Sequence, residues 1–232
     1  MDILLSKVQG IQSFVVRVAE LLSELPLRLQ GPPTQSIGDS YRPWLFQSPP
    51  GSYQFSVAIE SPRQGDMFPV SNVSGTHVTE KFLNILRSAC ETPEIGLADV
   101  VGDEGYRRTF LKLTRNLAPT GKTIEEIAIT GTRSDRPVLM SSNSRKELGA
   151  ALRKLESSFD ANEEVAVNGV LRALDLDRDW LDVGDGVQST RIYGVAEAVD
   201  DVIGPMVNQR VSVRARQVSK QRLSFIDIEL DE

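Results

Sequence analysis

The chain has 232 residues, 40% of them hydrophobic and 25% charged, a balance that is typical of a folded globular protein and excludes wholesale disorder. Its formal net charge of −6 disfavours a protein that binds nucleic acid over its whole surface, because such proteins are usually basic. A single cysteine, Cys90, excludes an internal disulfide, and no uncharged apolar run is long enough to cross a bilayer, so we predict a cytoplasmic protein without membrane contact.

The first predicted element is a helix over Met1–Leu25, which ends before Pro26. Its apolar residues recur with alternating spacings of four and three, the heptad pattern of a helix that packs along one seam. The seam residues that form a candidate protein interface are Leu4, Val8, Ile11, Val15, Val18 and Leu22. We expect the seam to be buried within the fold or against another protein chain, and we predict a protein partner or self-association.

Between residues 31 and 159 the sequence predicts a mixture of helices and strands. Five prolines within Gly31–Pro50 predict an extended loop. The elements predicted after it are a strand over 52–60, a helix capped by Thr76 or Thr79, a helix over 103–117, strands over 124–130 and 138–140, and a helix beginning at Asn143 or Ser144. Together with the first helix they predict an α+β domain over 1–159.

Residue 160 marks a change in pattern, because β-forming runs replace helical spacing and predict a second domain over 160–232. The strand candidates are Val165–Leu176, Trp180–Val183, Arg191–Ala198, Arg210–Gln217 and Leu223–Leu230, with a short helical segment, Val199–Val207, after the third. Three strands, a short helix and two strands is the order of an OB-type barrel, and a partly open antiparallel sheet with a helix has the same order. The predicted fold class is therefore α+β, with an N-terminal helix and strand region followed by a small antiparallel, β-barrel-like region.

The sequence holds no motif that carries catalysis or binds a metal. The aspartate run from Asp175 to Asp185 departs from a calcium loop, which needs glycine where Trp180 stands and glutamate where Gly186 stands. His77 and Cys90 are the only residues of their kinds, too few for a zinc site. We therefore predict no cofactor and no metal. An enzyme whose site is dispersed in the sequence is kept as an alternative.

The most informative local pattern is a group of basic residues near the end of the chain. They are Arg210, Arg214, Arg216, Lys220 and Arg222, in the region that carries all of the net negative charge. Alternation with valines predicts that the arginines of this strand point outward together. Trp180 and Tyr193 fall on the strands that bind ligands in an OB barrel, where they could stack on bases. The alternative is that neighbouring acids neutralise the arginines and that both rings are buried.

The sequence predicts a non-catalytic binding or adaptor protein that acts through protein–protein contacts in an intracellular assembly. Its candidate interface is the seam of the first helix. The first alternative is a nucleic-acid-binding module that uses the basic strand, the loop after it and the two aromatic residues. The second alternative is the enzyme with a dispersed site.

Overall fold

The structure is a computed structural model that describes residues 2–34, 37–38, 41, 43–47, 54–59, 73–93, 95–132, 136–156, 164–186, 188–219 and 222–231. Helices are formed by α1 (Asp2–Leu22), α2 (Gly75–Glu91), α3 (Gly96–Val100), α4 (Glu104–Leu117), α5 (Ser142–Glu156) and α6 (Asp200–Ile203), the last followed by a 3₁₀ turn over Gly204–Met206. Strands are formed by β1 (Pro43–Gln47), β2 (Phe55–Ile59), β3 (Glu126–Ile129), β4 (Val138–Ser141), β5 (Glu164–Asp175), β6 (Trp180–Gly184), β7 (Ser189–Tyr193), β8 (Arg210–Ser219) and β9 (Arg222–Leu230). This composition confirms the α+β class. Within the described ranges, no helix is long and apolar enough to span a membrane.

The helix α1 packs among the other N-terminal helices. Phe14 meets Phe82 of α2 edge-on, with ring centroids 5.0 Å apart, and stacks on Phe110 of α4 at 5.1 Å. Such aromatic pairs add about 0.5–1.5 kcal/mol to what their burial contributes. The seam residues Val15 and Val18 are buried in the same core, so the middle of the predicted seam packs against the chain's own helices.

The backbone explains why α1 ends three residues before the predicted boundary. Glu24 adopts a left-handed conformation with φ of 55°. Its N–H donates to the carbonyl of Leu21, and the N–H of Leu25 donates to the carbonyl of Glu20, both at 3.1 Å. These paired bonds are those of a Schellman motif, which closes the helix ahead of Pro26.

Other features of the N-terminal part also differ from the sequence prediction. The strand β1 lies within the segment predicted as a loop and pairs antiparallel with β2. Proline is tolerated as the first residue of a strand, so Pro43 does not prevent this pairing. The helix α3 has no counterpart in the prediction. The cap of α2 is Ser74, whose hydroxyl accepts from the N–H of His77 at 3.2 Å, in place of Thr76 or Thr79.

The strands β5 to β9 form a mixed sheet in which every strand has two hydrogen-bonded neighbours. Their order is β5-β6-β7-β9-β8, and β8 pairs back with β5, so the hydrogen bonds form a ring. The pairs are antiparallel except that β7 and β9 run parallel, which corrects the predicted all-antiparallel arrangement. Val211 and Val213 of β8 point into the buried interior. The third strand ends at Tyr193 and not at Ala198, because Gly194 turns the chain at a φ of 90°.

Two buried arginines from the helices hold β9. Arg115 of α4 donates to the carboxylate of Asp227 at 3.2 Å and to the carbonyl of Ile228 at 2.7 Å. Arg145 of α5 donates to the carbonyl of Leu230 at 2.6 Å. Buried apolar residues from both halves of the chain form one contiguous cluster. The helices thus fix the β8–β9 side of the sheet, while the predicted boundary between 159 and 160 lies outside the described residues and stays a prediction.

Candidate nucleic-acid interface

One row of side chains crosses four strands on the outer face of the C-terminal sheet. In the register, Arg216 of β8 lies opposite Ser224 of β9. Ser224 lies opposite Tyr193 of β7, which in turn lies opposite Trp180 of β6. Residues directly opposite each other on neighbouring strands point to the same face of a sheet. Because Ile192, next to Tyr193, is buried in the interior, the row faces outward.

Trp180 lies beneath a guanidinium. The central carbon of the Arg191 guanidinium is 4.0 Å from the ring centroid, which is the geometry of a cation–π contact. Nε and Nη2 of Arg191 donate to the two carboxylate oxygens of Asp182, each at 2.8 Å, in a forked pair. This hydrogen bonding with Asp182 raises the pKa of Arg191 above its ordinary value, so the guanidinium keeps its charge. The Arg191 side chain is 47% exposed and therefore open to a ligand.

Tyr193 repeats the arrangement one strand further on. The guanidinium carbon of Arg222 lies 5.1 Å from the Tyr193 ring centroid. Arg222 is exposed and has no carboxylate partner among the residues that the structure describes. Two neighbouring aromatic rings, Trp180 and Tyr193, thus each lie beneath a guanidinium on one outer face. We call these two rings and Arg191 and Arg222 the aromatic–arginine surface.

Arg214 has a structural role in addition to its outward position. It is partly buried and lies 3.5 Å from carboxylate oxygens of both Glu164 and Asp227. Asp227 is itself buried. It also accepts a hydrogen bond from Arg115 and forms an ion pair with Lys112 at 3.4 Å. Burial alone would raise the pKa of Asp227, but the charges of Arg115 and Lys112 outweigh it and hold that pKa well below its usual range. The predicted neutralisation of an arginine by an acid therefore applies to Arg214.

The remaining basic residues of the predicted stripe are separated by the structure. Arg216 belongs to the row described above and lies next to the aromatic–arginine surface. Arg210 lies at the other end of β8, opposite Val170, away from both rings. Lys220 lies outside the described residues. The structure therefore brings together Arg216, Arg222 and the two aromatic residues, and it does not bring Arg210 to them.

The seam of α1 is largely used within the fold. Val15 and Val18 are buried in the core. Leu4 lies within α1, but its side chain is outside the described part of the chain. The seam residues that remain partly buried are Val8, Ile11 and Leu22. A protein partner bound to this helix would therefore contact its ends more than its middle.

Turns and ion pairs with Arg178 and Arg191 account for most of the aspartate run. Asp175 and Asp185 each accept a hydrogen bond from the backbone N–H three residues ahead, at 2.9 Å. Asp179 accepts from the N–H of Ala196 at 2.7 Å, and Asp182 holds the guanidinium over the tryptophan ring. Among the residues described, no group of three or more histidine, cysteine or acidic side chains could hold a metal ion.

Local sequence patterns did not identify Arg191, or Asp182 as its partner, at this surface. The signal that could have identified them is the spacing of two residues from Tyr193 and from Trp180, which places all four side chains on one face of two adjacent strands. The register is also required, because only the pairing of β6 with β7 places Asp182 opposite Arg191.

Comparison with known proteins gives no relative from which a function could be transferred. No protein-family model, no curated protein and no solved structure matches the chain. The chemistry of the aromatic–arginine surface is therefore the basis for a function.

Proposed function

We propose that this chain is a non-catalytic binding protein that takes a single strand of nucleic acid on the outer face of its C-terminal sheet. The observation that supports it most is the pair of neighbours Trp180 and Tyr193, each beneath a guanidinium. Aromatic rings and guanidinium planes both stack on unpaired bases, and stacking contributes about 1–3 kcal/mol per base. Paired bases are hidden inside a duplex, so this surface suits a single strand.

We also infer that the ring of five strands is a small barrel of the OB type. The chain order of three strands, a short helix and two strands, closed by the pairing of β8 with β5, supports this assignment. The second and third strands of an OB barrel form its ligand-binding face. Here Trp180 lies on the second strand of the ring and Tyr193 on the third.

The charge of the surface sets the expected strength of binding. Arg191, Arg216 and Arg222 are cationic, whereas Asp182 is the acid paired with Arg191 on the same face. Each phosphate that is neutralised steepens the salt dependence by about 0.7 in log–log slope for a single strand. The chain as a whole has a net charge of −6 and repels the same phosphates. We therefore expect binding at low salt that weakens steeply as salt is added.

The adaptor hypothesis and the cytoplasmic location stay predictions. The adaptor hypothesis relied on the seam of α1, and the burial of Val15 and Val18 leaves that seam fewer residues to offer a partner. An adaptor of this kind would elute as an oligomer or co-purify with a protein, and it would not retain an oligonucleotide.

The first test follows Trp180 directly. Because the chain has two tryptophans, Trp44→Phe leaves Trp180 as the single reporter. A single-stranded DNA or RNA oligonucleotide titrated at low salt should quench its fluorescence through stacking, whereas a duplex of the same sequence should not. In fluorescence anisotropy with a labelled strand, Trp180→Ala should lower the affinity by about 1–3 kcal/mol. Arg222→Glu should lower both the affinity and the salt slope, the latter by about 0.7 or more.

A matched control for the charge reversal is Arg136→Glu. Arg136 is 77% exposed and lies before β4, in the N-terminal part of the chain. It should change neither the affinity nor the slope beyond the small effect of net charge. Affinity that survives both Trp180→Ala and Arg222→Glu would contradict the proposed surface. Absence of binding by the unaltered chain at low salt would contradict the function itself.

A further inference from the structure

A cleft of about 780 Å³ lies beside the aromatic–arginine surface. One wall is α4 with the C-terminal end of α5, and the other is the outer face of β8 and β9. The segment after β7 closes one end. Clefts of roughly 300–1,000 Å³ are the usual size of small-molecule sites. The helices that hold β9 therefore also create a cavity large enough for a nucleotide.

The lining of this cleft is positively charged in an acidic chain. Its cationic residues are Arg108, Lys112, Arg153, Arg214 and Arg216, and its acidic residues are Glu164, Glu197 and Asp227. Asp227 is already paired with Arg115, a buried residue of α4 that does not line the cleft. The cations outnumber the acids by five to three, and a concave site with an excess of one sign of charge attracts the opposite charge. The cleft therefore favours an anion.

Two of these cations are available to a ligand. Among the described residues, Arg153 has no ion-pair partner, and its side chain is exposed. Arg108 pairs with Glu104 at 3.2 Å, but both side chains are exposed, and exposed pairs of this kind contribute little. An anionic group that entered the cleft could therefore bind both guanidinium groups without disrupting the Asp227 cluster.

The cleft also has an apolar side. Leu29 is 40% exposed and Leu155 is 45% exposed, and both are cleft-lining residues. Large apolar side chains that stay open to solvent in a cleft offer a surface for a flat apolar group. A cationic side and an apolar side together suit a ligand that carries a phosphate and a ring.

The cleft and the aromatic–arginine surface are continuous. Arg216 and Ser224 line the cleft and belong to the row that contains Tyr193 and Trp180. A bulge in β9, where the register passes from Asp227 to Phe225, places Ile226 at the cleft. Bulges commonly re-aim side chains next to binding sites. A ligand could thus extend from the two aromatic rings into the cleft past Arg216, which belongs to both.

We propose that this cleft binds a nucleoside phosphate, with the phosphate on Arg108 and Arg153 and the base against Leu29 and Leu155. The inference rests on the proposed function, because it takes the ligand to be of nucleotide chemistry. That chemistry has two sources, a free nucleotide and one nucleotide of a bound strand. The experiment distinguishes them.

The test is isothermal titration calorimetry of the full chain with adenosine 5′-monophosphate at low salt. Adenosine should bind much more weakly than the monophosphate, because it lacks the charged group. Arg153→Glu should weaken the monophosphate by about tenfold or more, the range for a lost hydrogen bond to a charged group. A melting curve checks that this exposed substitution leaves the fold intact.

The matched control is Lys146→Glu, on the same helix. Lys146 is exposed and does not line the cleft, so its reversal changes net charge equally without touching the site. It should leave the monophosphate affinity within about twofold. Equal losses in Lys146→Glu and Arg153→Glu would overturn the assignment to the cleft, as would equal affinity for adenosine and its monophosphate.

The two proposals fail separately. Arg222→Glu should weaken a labelled oligonucleotide but leave the monophosphate unchanged, since Arg222 does not line the cleft. Monophosphate that displaces the oligonucleotide supports one continuous track, and monophosphate that binds without displacing it supports a free nucleotide in the cleft. No binding of the monophosphate overturns this inference even if the oligonucleotide binds. No binding of the oligonucleotide, with the monophosphate bound and sensitive to Arg153→Glu, overturns only the proposed function.

Discussion

The carboxylate of Asp227 both joins a helix to the sheet and balances the charge of the cations around it. It is buried where α4 meets β9, and it contacts Arg115, Lys112 and Arg214. Taking these charges out of water is costly, and their mutual attraction offsets the cost only while every partner is present. Removing the carboxylate would leave three cations close together, two of them lining the cleft. The fold and the proposed anion site therefore depend on the same residue.

We predict that Asp227→Asn lowers the free energy of unfolding at neutral pH by about 3–5 kcal/mol, the usual loss when one partner of a buried pair is removed. The pKa of Asp227 is lowered in the folded state, so its ionised form stabilises the fold above its unfolded pKa of about 3.9. This contribution is lost as the pH falls further. Urea melts between about pH 6 and pH 3 should therefore show a steeper acid loss in the unaltered chain than in Asp227→Asn.

Asp177→Asn is the control for that measurement, because Asp177 is an exposed aspartate in the turn between β5 and β6. Its acid dependence should follow that of the unaltered chain. Identical acid slopes for the unaltered chain and Asp227→Asn would show that folding does not lower the pKa of this carboxylate.

At the scale of elements, the C-terminal end of α1 is set by the strained backbone of one residue. Glu24 closes the helix in a left-handed conformation that glycine adopts without a steric penalty. We predict that Glu24→Gly raises the free energy of unfolding by about 0.5–1 kcal/mol, because relief of strain outweighs the added freedom of the unfolded chain. Chemical denaturation measures this change. Glu24→Ala keeps a Cβ and should give no such gain, and a gain of equal size there would contradict the explanation.

A substitution in the middle of the same helix should lower the free energy of unfolding. Val15→Asp places a charge in the apolar core beside Phe14. We expect a loss of about 3 kcal/mol or more and a lower melting temperature. Gln12→Asp introduces the same charge at an exposed position of α1 and should have little effect. Unchanged melting of Val15→Asp would show that the seam is not buried in solution.

Local sequence patterns were sufficient to predict the elements in which apolar residues recur with a helical or strand period. The spacing predicts α1, α2 and α4 and the approximate positions of β5 to β9, because burial imposes a period on each segment. The strand β1 was not predicted, because its segment is rich in proline and its apolar residues do not recur with a strand period. The parallel pairing of β7 with β9 could not be predicted, since the choice of partner strand leaves no mark in either segment.

The candidate site was predictable only in part for the same reason. Strand alternation predicts Arg216, the strand order of an OB barrel predicts Trp180 and Tyr193, and the run of basic residues predicts Arg222. Arg191 depends on the register of two strands. The cleft combines residues of α4, α5, β8 and β9 that are far apart in the sequence. Such a site results from the packing of helices on a sheet, which no local pattern records.

For the whole molecule, the distribution of charge matters more than its sum. The region after residue 160 carries the entire net charge of −6, yet the aromatic–arginine surface within it and the cleft beside that surface carry more cations than acids. Salt screens charges beyond about 8–10 Å at physiological ionic strength. Distant acids therefore act mainly on approach at low salt, while the arginines act at contact. We expect slow, salt-sensitive association and selectivity determined by close contacts.

The two arginines that hold β9 also constrain how the chain reaches its fold. Arg115 and Ile228 are separated by 113 positions, and Arg145 and Leu230 by 85, so these bonds join parts of the chain that are synthesised far apart in time. Contacts of such sequence separation form late, because a long loop must lose its freedom before they give any stabilisation. Until β9 arrives, Arg115 and Arg145 lack the acceptors that this strand provides. The helices and the sheet should therefore complete their folding together, in one cooperative step.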